Sequence, residues 1–138
     1  MSTATYNPAE VEIICGGFRA HGLADGDFLV IEEDANRYSK DIGSDGEGSR
    51  SKLNNYGATI TLKLKGTSDF NTILSAFAQA DRFSDAGSFP FFAKYEGSIY
   101  TAGACWVEKM PSGTYAREES VREWVLATAS MIQEVAGV

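Results

Sequence analysis

The hydrophobic and polar positions between Gly43 and Ala80 fall into three successive patterns, and the rest of the chain is arranged around them. The first, GSDGEGSRSKLNNYG, is polar and rich in glycine. It offers too little apolar surface to offset the entropy of ordering it, so a long extended loop is expected, flexible at about residues 41–55. The second, Thr59–Lys65, alternates strictly: Ile60, Leu62 and Leu64 share one face, and Thr59, Thr61, Lys63 and Lys65 share the other. A period of two is that of a half-buried strand. In the third, Phe70, Ile73, Leu74, Phe77 and Ala78 recur at helical spacing and make one apolar stripe. Thr67 or Ser68 can cap that helix by accepting a bond from an unpaired backbone N–H. Asp69 suits the positive end of the helix dipole.

On the N-terminal side, Met1–Glu10 reads as a short extended arm and Val11–Ala20 as a strand, with Val11, Ile13 and Cys15 on one face. Gly16-Gly17 invites a bulge or bend. Asp25-Gly26-Asp27 signals a turn, so Phe28–Glu32 is expected to form a hairpin with the first strand. Glu32, Glu33 and Asp34 alternate between faces and read as a solvated strand end. Ala35–Ile42 leads into the loop.

Beyond the helix, Gly87 is a candidate C-terminal cap. Phe89–Tyr95 is aromatic and strand-like, with Pro90 marking its start or an edge. Glu96-Gly97-Ser98 reads as a hairpin turn, and Ile99–Lys109 as the next strand. Tyr115–Ala129 fits both periods. Val121, Trp124, Val125, Thr128 and Ile132 suit a helix, whereas Val121, Glu123, Val125 and Ala127 suit a strand. Together the patterns predict a single α+β domain over residues 1–138, an antiparallel β-sandwich or barrel with one packed helix and the long loop.

Composition narrows the function more than the fold. A chain of 138 residues with 43% hydrophobic content can bury a core without a disulfide or metal staple. Its net charge is −7, with no basic patch to advertise nucleic-acid binding. Cys15 and Cys105 both sit in apolar strand-like runs and are expected to be buried free thiols of a reducing compartment. Met1–Ala9 has neither a basic start nor an apolar stretch, so no secretory leader is expected. No apolar run reaches the roughly 20 residues of a membrane helix.

Candidate chemistry is sparse. The glycine run lacks the Gly-Lys-Ser/Thr ending of a phosphate loop, and no G-x-S-x-G elbow occurs. Asp41, Asp45 and Glu47 lack calcium-loop spacing. His21 is the only histidine, and nothing pairs it with either cysteine. No enzyme activity, cofactor or metal is expected.

The order of motifs resembles that of tail tube proteins of contractile phages. The matching residues are Gly46, Ser51, Thr59, Thr61, Leu62, Thr67, Ser68, Asn71 and Leu74. Phe89-Pro90, Ala104-Cys105-Trp106-Val107, Lys109-Met110-Pro111 and Arg122-Glu123-Trp124 extend the resemblance over most of the chain. Gln133–Val138 has no counterpart. The resemblance implies a tail-tube-like fold shared with type VI secretion and tailocin tubes, and it turns the ambiguous last segment towards sheet. It also implies a structural virion protein, made in the host bacterial cytoplasm. Hexameric rings would stack into a tube that conducts double-stranded DNA into the host without binding it specifically. The implied partners are further copies of the chain, a tail sheath protein, a tape measure protein and the baseplate. In such proteins the long loop bridges neighbouring subunits and rings, which assigns that role here to Asp41, Ser44, Asp45, Glu47, Arg50, Lys52, Asn54 and Asn55. Phe70, Ile73, Leu74 and Phe77 are the core helix residues. The alternatives are another ring of the tail or baseplate, a secretion tube, and a small-ligand-binding barrel. The last would be a closed monomer with an apolar pocket and no free strand edges.

Overall fold

The computed structural model describes residues 11–95, 97–113 and 120–136. The extended arm expected over Met1–Glu10 lies outside them, as do Glu96 of the hairpin turn and the start of the segment expected at Tyr115. The strands are β1 (Glu12–Cys15), β2 (Phe18–Arg19), β3 (Leu29–Glu33), β4 (Tyr38–Ile42), β5 (Gly48–Lys52) and β6 (Ala58–Lys65). After the helix α1 (Phe70–Ser84) come β7 (Phe89–Tyr95), β8 (Ser98–Lys109), β9 (Val121–Thr128) and β10 (Ile132–Glu134). The fold is α+β, almost all antiparallel sheet with one helix.

The main sheet runs β2-β1-β7-β8-β9-β6-β3, and β10 pairs with β8. β9 and β10 follow one another along the same side of β8: Thr128 faces Cys105, and Ile132 faces Thr101. The sheet folds over on itself, because Ile13 and Cys15 from one end share a core with Ile60, Leu62 and Leu64 from the other. The alternation in β6 is realised in full, with Ile60, Leu62 and Leu64 completely buried. Of the helix stripe, Phe70 and Leu74 are completely buried, while Ile73 and Phe77 pack on the core from its margin. Phe77 lies against Phe89, with ring centroids 4.5 Å apart.

Several expectations are corrected. β3 forms no hairpin with the first strand; it pairs with β6, and β1 pairs with β7. Gly16-Gly17, both at positive φ, make a complete reversal that splits the expected strand into β1 and β2. The polar run expected to be a flexible loop contains β5, which pairs with β4 just ahead of it and with no other strand. Asp85 rather than Gly87 takes the left-handed position that ends α1, at φ 54°. Gly87 is needed for a different reason. A Cβ there would meet the Phe77 carbonyl and lie 2.6 Å from the Asp81 Cβ. At the other end Asp69 takes the cap position without a side-chain bond, and the Ser68 hydroxyl accepts from the Phe70 N–H at 3.2 Å. The ambiguous last segment is strand β9. Gln133 and Glu134, for which no counterpart was expected, belong to β10.

One side chain joins helix to sheet. Asn71 Nδ2 donates to the carbonyls of Lys65 and Ser68, each at 3.0 Å. Its Oδ1 accepts from Trp124 Nε1 at 2.8 Å. Trp124 is fully buried on β9, so its N–H has no water to turn to. An Asn71→Leu variant should lose about 1–3 kcal/mol of stability, the cost of orphaning a buried donor. In urea melts this loss should shrink in a Trp124→Phe background, where no indole N–H remains; strictly additive losses would contradict the assignment.

Cys15 and Cys105 are buried and free. Burial pushes the Cys105 thiol up to about 12 and the Cys15 thiol higher still, with the neighbouring Cys105 adding to the second shift. Neither forms a thiolate near neutral pH. Both should stay silent to a thiol reagent in the native protein and react only as the domain unfolds in denaturant.

Candidate assembly interface

The segment between β3 and β6 is built as an arm. In its register Tyr38 faces Lys52, Lys40 faces Arg50 and Ile42 faces Gly48; between them Ser39 faces Ser51 and Asp41 faces Ser49. Side chains alternate across the ribbon. One face therefore carries Tyr38, Lys40, Ile42, Arg50 and Lys52, and the other carries Asp41 with the serines. The Arg50 guanidinium lies 4.4 Å from the Tyr38 ring centroid, which links the two strands on the basic face. At the tip the Gly43 N–H donates to the Glu47 carbonyl at 2.8 Å, and Asp45 Oδ1 accepts from the Glu47 N–H at 3.1 Å. Every residue of both strands is exposed. A hairpin forms here without apolar burial because the turn bonds, the ladder and the ring stack are all local.

The root of the arm is tied to the body. The Leu53 N–H donates to the Arg37 carbonyl at 2.8 Å. Arg37 Nη2 donates to Glu33 Oε1 at 2.6 Å, and the same oxygen accepts from Gln133 Nε2 of β10 at 2.6 Å. The two donors, Arg37 first, hold the Glu33 carboxyl below its ordinary range. The contact is thus complete at neutral pH and is lost only as pH falls through that lowered value. Behind the root, Asp34 Oδ1 accepts from the Thr59 hydroxyl at 2.8 Å, and the Tyr56 carbonyl accepts from the Met131 N–H at 2.9 Å. The carboxylates 32–34 remain solvent-exposed, but Glu33 and Asp34 brace the arm.

The residues expected in the loop are brought together only in part. Arg50 and Lys52 share the basic face; Asp41 lies on the opposite one. Ser44, Asp45 and Glu47 form the tip. Asn54 and Asn55 stay at the root, where Asn55 Oδ1 accepts from the Gly57 N–H at 3.1 Å. Sequence reasoning missed Tyr38, Lys40 and Ile42. Their signal was an alternation of large residues with Ser39 and Asp41, ahead of the glycine run.

A second feature lies between β3 and the β7–β8 pair. A cleft of about 280 Å³ is walled by Phe28, Leu29 and Ile31 on one side and by Tyr95 and Tyr100 on the other, with Asp27 also lining it. The Asp25-Gly26-Asp27 turn read from the sequence is exposed beside it. The outer edges of β2 and β3 are the free ends of the sheet among the described residues.

Among the described residues no group of three His, Cys, Asp or Glu side chains could hold a metal ion, and no helix is long and apolar enough to cross a membrane.

Comparison with known proteins bears on the family and the fold. A structural protein, ORF10, of Pseudomonas phage KPP10 is 24% identical, over 91% of this chain and 78% of its own length. Among solved structures, the sheath/tube terminator of an extracellular contractile injection system in its extended state superposes with a TM-score of 0.66 at 11% identity, covering 98% of this chain and all of that one. The tube-terminating cap of the anti-feeding prophage gives 0.65 at 11% identity, covering 99% of this chain and 95% of that one. The sheath-tube complex of an extracellular contractile injection system in its extended state gives 0.61 at 11% identity, covering 96% and 93%. At these identities the three structures speak for the fold. Residues 1–137 match the family described as Bacteriophage PhiTE tail tube protein, and a chain matched over that length belongs to it: this is a structural protein of the phage tail.

Proposed function

We propose that the chain is the repeating subunit of a tail tube, forming hexameric rings that stack into a hollow conduit for DNA. The observation that carries this reading is the arm. Both of its strands are exposed along their whole length while its root is braced to the body. An ordered ribbon held away from its own domain has surface to give to a neighbour. The open ends of the sheet add to the argument, since an unpaired strand edge invites pairing with another copy. The tube acts by shape, without catalysis. Its partners are its own copies, a surrounding sheath, a tape measure protein and the baseplate. Double-stranded DNA passes without specific contacts. The face of β6 and its neighbours away from the core mixes Lys63 and Lys65 with Glu32 and Glu123, a balance of charge that would neither hold nor strongly repel phosphate.

A second reading follows from the two structural neighbours that terminate a tube: the chain would then form a single ring that ends a tube. Negative-stain electron microscopy of the concentrated protein separates the two. Stacked hollow tubes are expected. Single rings that never stack would favour the terminator, and monomers at every concentration and salt would overturn both readings.

The arm's role has its own test. Replacing residues 41–49 by a two-residue Asn-Gly turn should leave the far-UV circular dichroism of the domain nearly unchanged, because the arm contributes nothing to the core. The same variant should form no tubes. Tubes of normal appearance from it would remove the arm from the interface.

A further inference from the structure

We propose that the basic face of one copy's arm docks in the cleft between β3 and the β7–β8 pair of a second copy, with Ile42 entering the cleft and Lys40 and Arg50 meeting Asp27. This rests on the reading of the chain as a self-assembling tail subunit, and it adds which two surfaces meet.

The arm's face is incomplete as it stands. Lys40 sits directly across from Arg50, with Lys52 one pair further along the same face. Like charges opposite each other destabilise a ribbon, and among the described residues the ion pair is between Arg37 and Glu33, leaving these three without a carboxylate partner. The chain as a whole carries −7, so an acidic surface is what a second copy offers. Ile42, on the same face, is 64% exposed, and its cross-strand neighbour is Gly48, which has no side chain to cover it. Next to Ile42, the face is thus a branched aliphatic group flanked by cations.

The cleft is the complement. Its walls are apolar and aromatic, Phe28, Leu29, Ile31, Tyr95 and Tyr100, and its acidic member is Asp27. At about 280 Å³ it has room for a branched aliphatic side chain. Asp25, exposed in the same turn, lines a separate hollow with Lys65, so Asp27 is the carboxylate the cleft presents. Apolar entry would supply the attraction, and the charges at the rim would set register and encounter rate.

The same chain does not satisfy both surfaces. The arm leaves β3 beyond its Glu33 end, whereas the cleft lies at its Leu29 end. The arm's strands are exposed along their length, so they do not fold back on their own body. Donor and receptor are different patches of one surface, so the contact is head-to-tail and each copy can continue it.

The test is a full-length Ile42→Cys/Asp27→Cys variant, concentrated and mildly oxidised. Both positions are exposed, and the native thiols are buried, so neither folding nor side reaction should interfere. A ladder of disulfide-linked multimers on a non-reducing gel is expected from the double variant and from neither single variant. Cross-linking by Ile42→Cys alone would mean that arm tips meet each other, and would overturn the docking. Assembled particles without a ladder would overturn it too, while leaving the tube reading intact. Failure of the wild-type chain to assemble at all would overturn that reading and this one together. In parallel, Lys40→Glu/Arg50→Glu should weaken self-association about tenfold at low salt. Adding Asp27→Lys should restore it, and failure to restore it would exclude this pairing of charges.

Discussion

The link from Asn71 to Trp124 is the joint on which the rest of the domain depends. The sheet can fold over on itself only if something closes the side where α1 lies. Phe70 and Leu74 supply apolar contact there, but apolar contact does not fix direction. Asn71 does, because its amide reaches the carbonyls that end β6 and its oxygen meets the indole of β9. The helix axis is thereby locked to two adjacent strands of the sheet, β6 and β9. The remaining buried polar groups follow the same rule. The Thr128 hydroxyl donates to the Ala104 carbonyl at 2.8 Å, and Ser98 Oγ accepts from the Ala136 N–H at 2.8 Å. These bonds hold β9 and the C-terminal segment against β8, which in turn places Gln133 within reach of Glu33. A chain of paired groups therefore runs from the C-terminal strand to the root of the arm.

What could be read from the sequence was what repeats locally. The alternation of Ile60, Leu62 and Leu64 and the stripe from Phe70 to Phe77 each declare a burial face within a few residues, and both faces are where the pattern put them. The pairing of β1 with β7 joins Ile13 to Ala93, far apart in the chain, and no local pattern contains that information. The nearer strand at Phe28 looked like the partner because hairpins are the commonest connection. The arm escaped for another reason. Its alternation sets Tyr38, Lys40 and Ile42 against serine and aspartate, a pattern of size and charge rather than of burial, and it is held by cross-strand contacts instead of a core. The cleft was invisible because Phe28, Leu29, Ile31, Tyr95 and Tyr100 converge from three strands and a turn.

The free ends of the main sheet bear on how copies can meet. Exposed edges aggregate unless they are shortened, charged or covered. β2 has only two residues, and β3 carries Glu32 and Glu33. Both edges are thus protected against indiscriminate pairing, and a productive contact has to be selected by something besides backbone hydrogen bonding. In the proposed docking, an arm with one basic face and a braced root would supply such a selector. It presents side chains in fixed order, and it has already met the entropy of its own ordering within the subunit.

Fixed order matters more for a tube than for a closed dimer. A self-complementary patch ends growth after one contact, whereas two different patches on one subunit leave a free donor and a free receptor after every addition. The arm root and the cleft lie at opposite ends of β3, a strand of five residues spanning roughly 17 Å. In the proposed docking, one short strand would therefore set the offset between what a subunit gives and what it receives. Because Glu33 ends that strand and also holds Arg37 and Gln133, the direction of the arm and the position of the cleft are referred to the same element. Small errors in that direction would multiply along a stack of rings. In the proposed assembly, bracing the arm by a short charge-assisted contact, rather than leaving it on a free loop, would limit them.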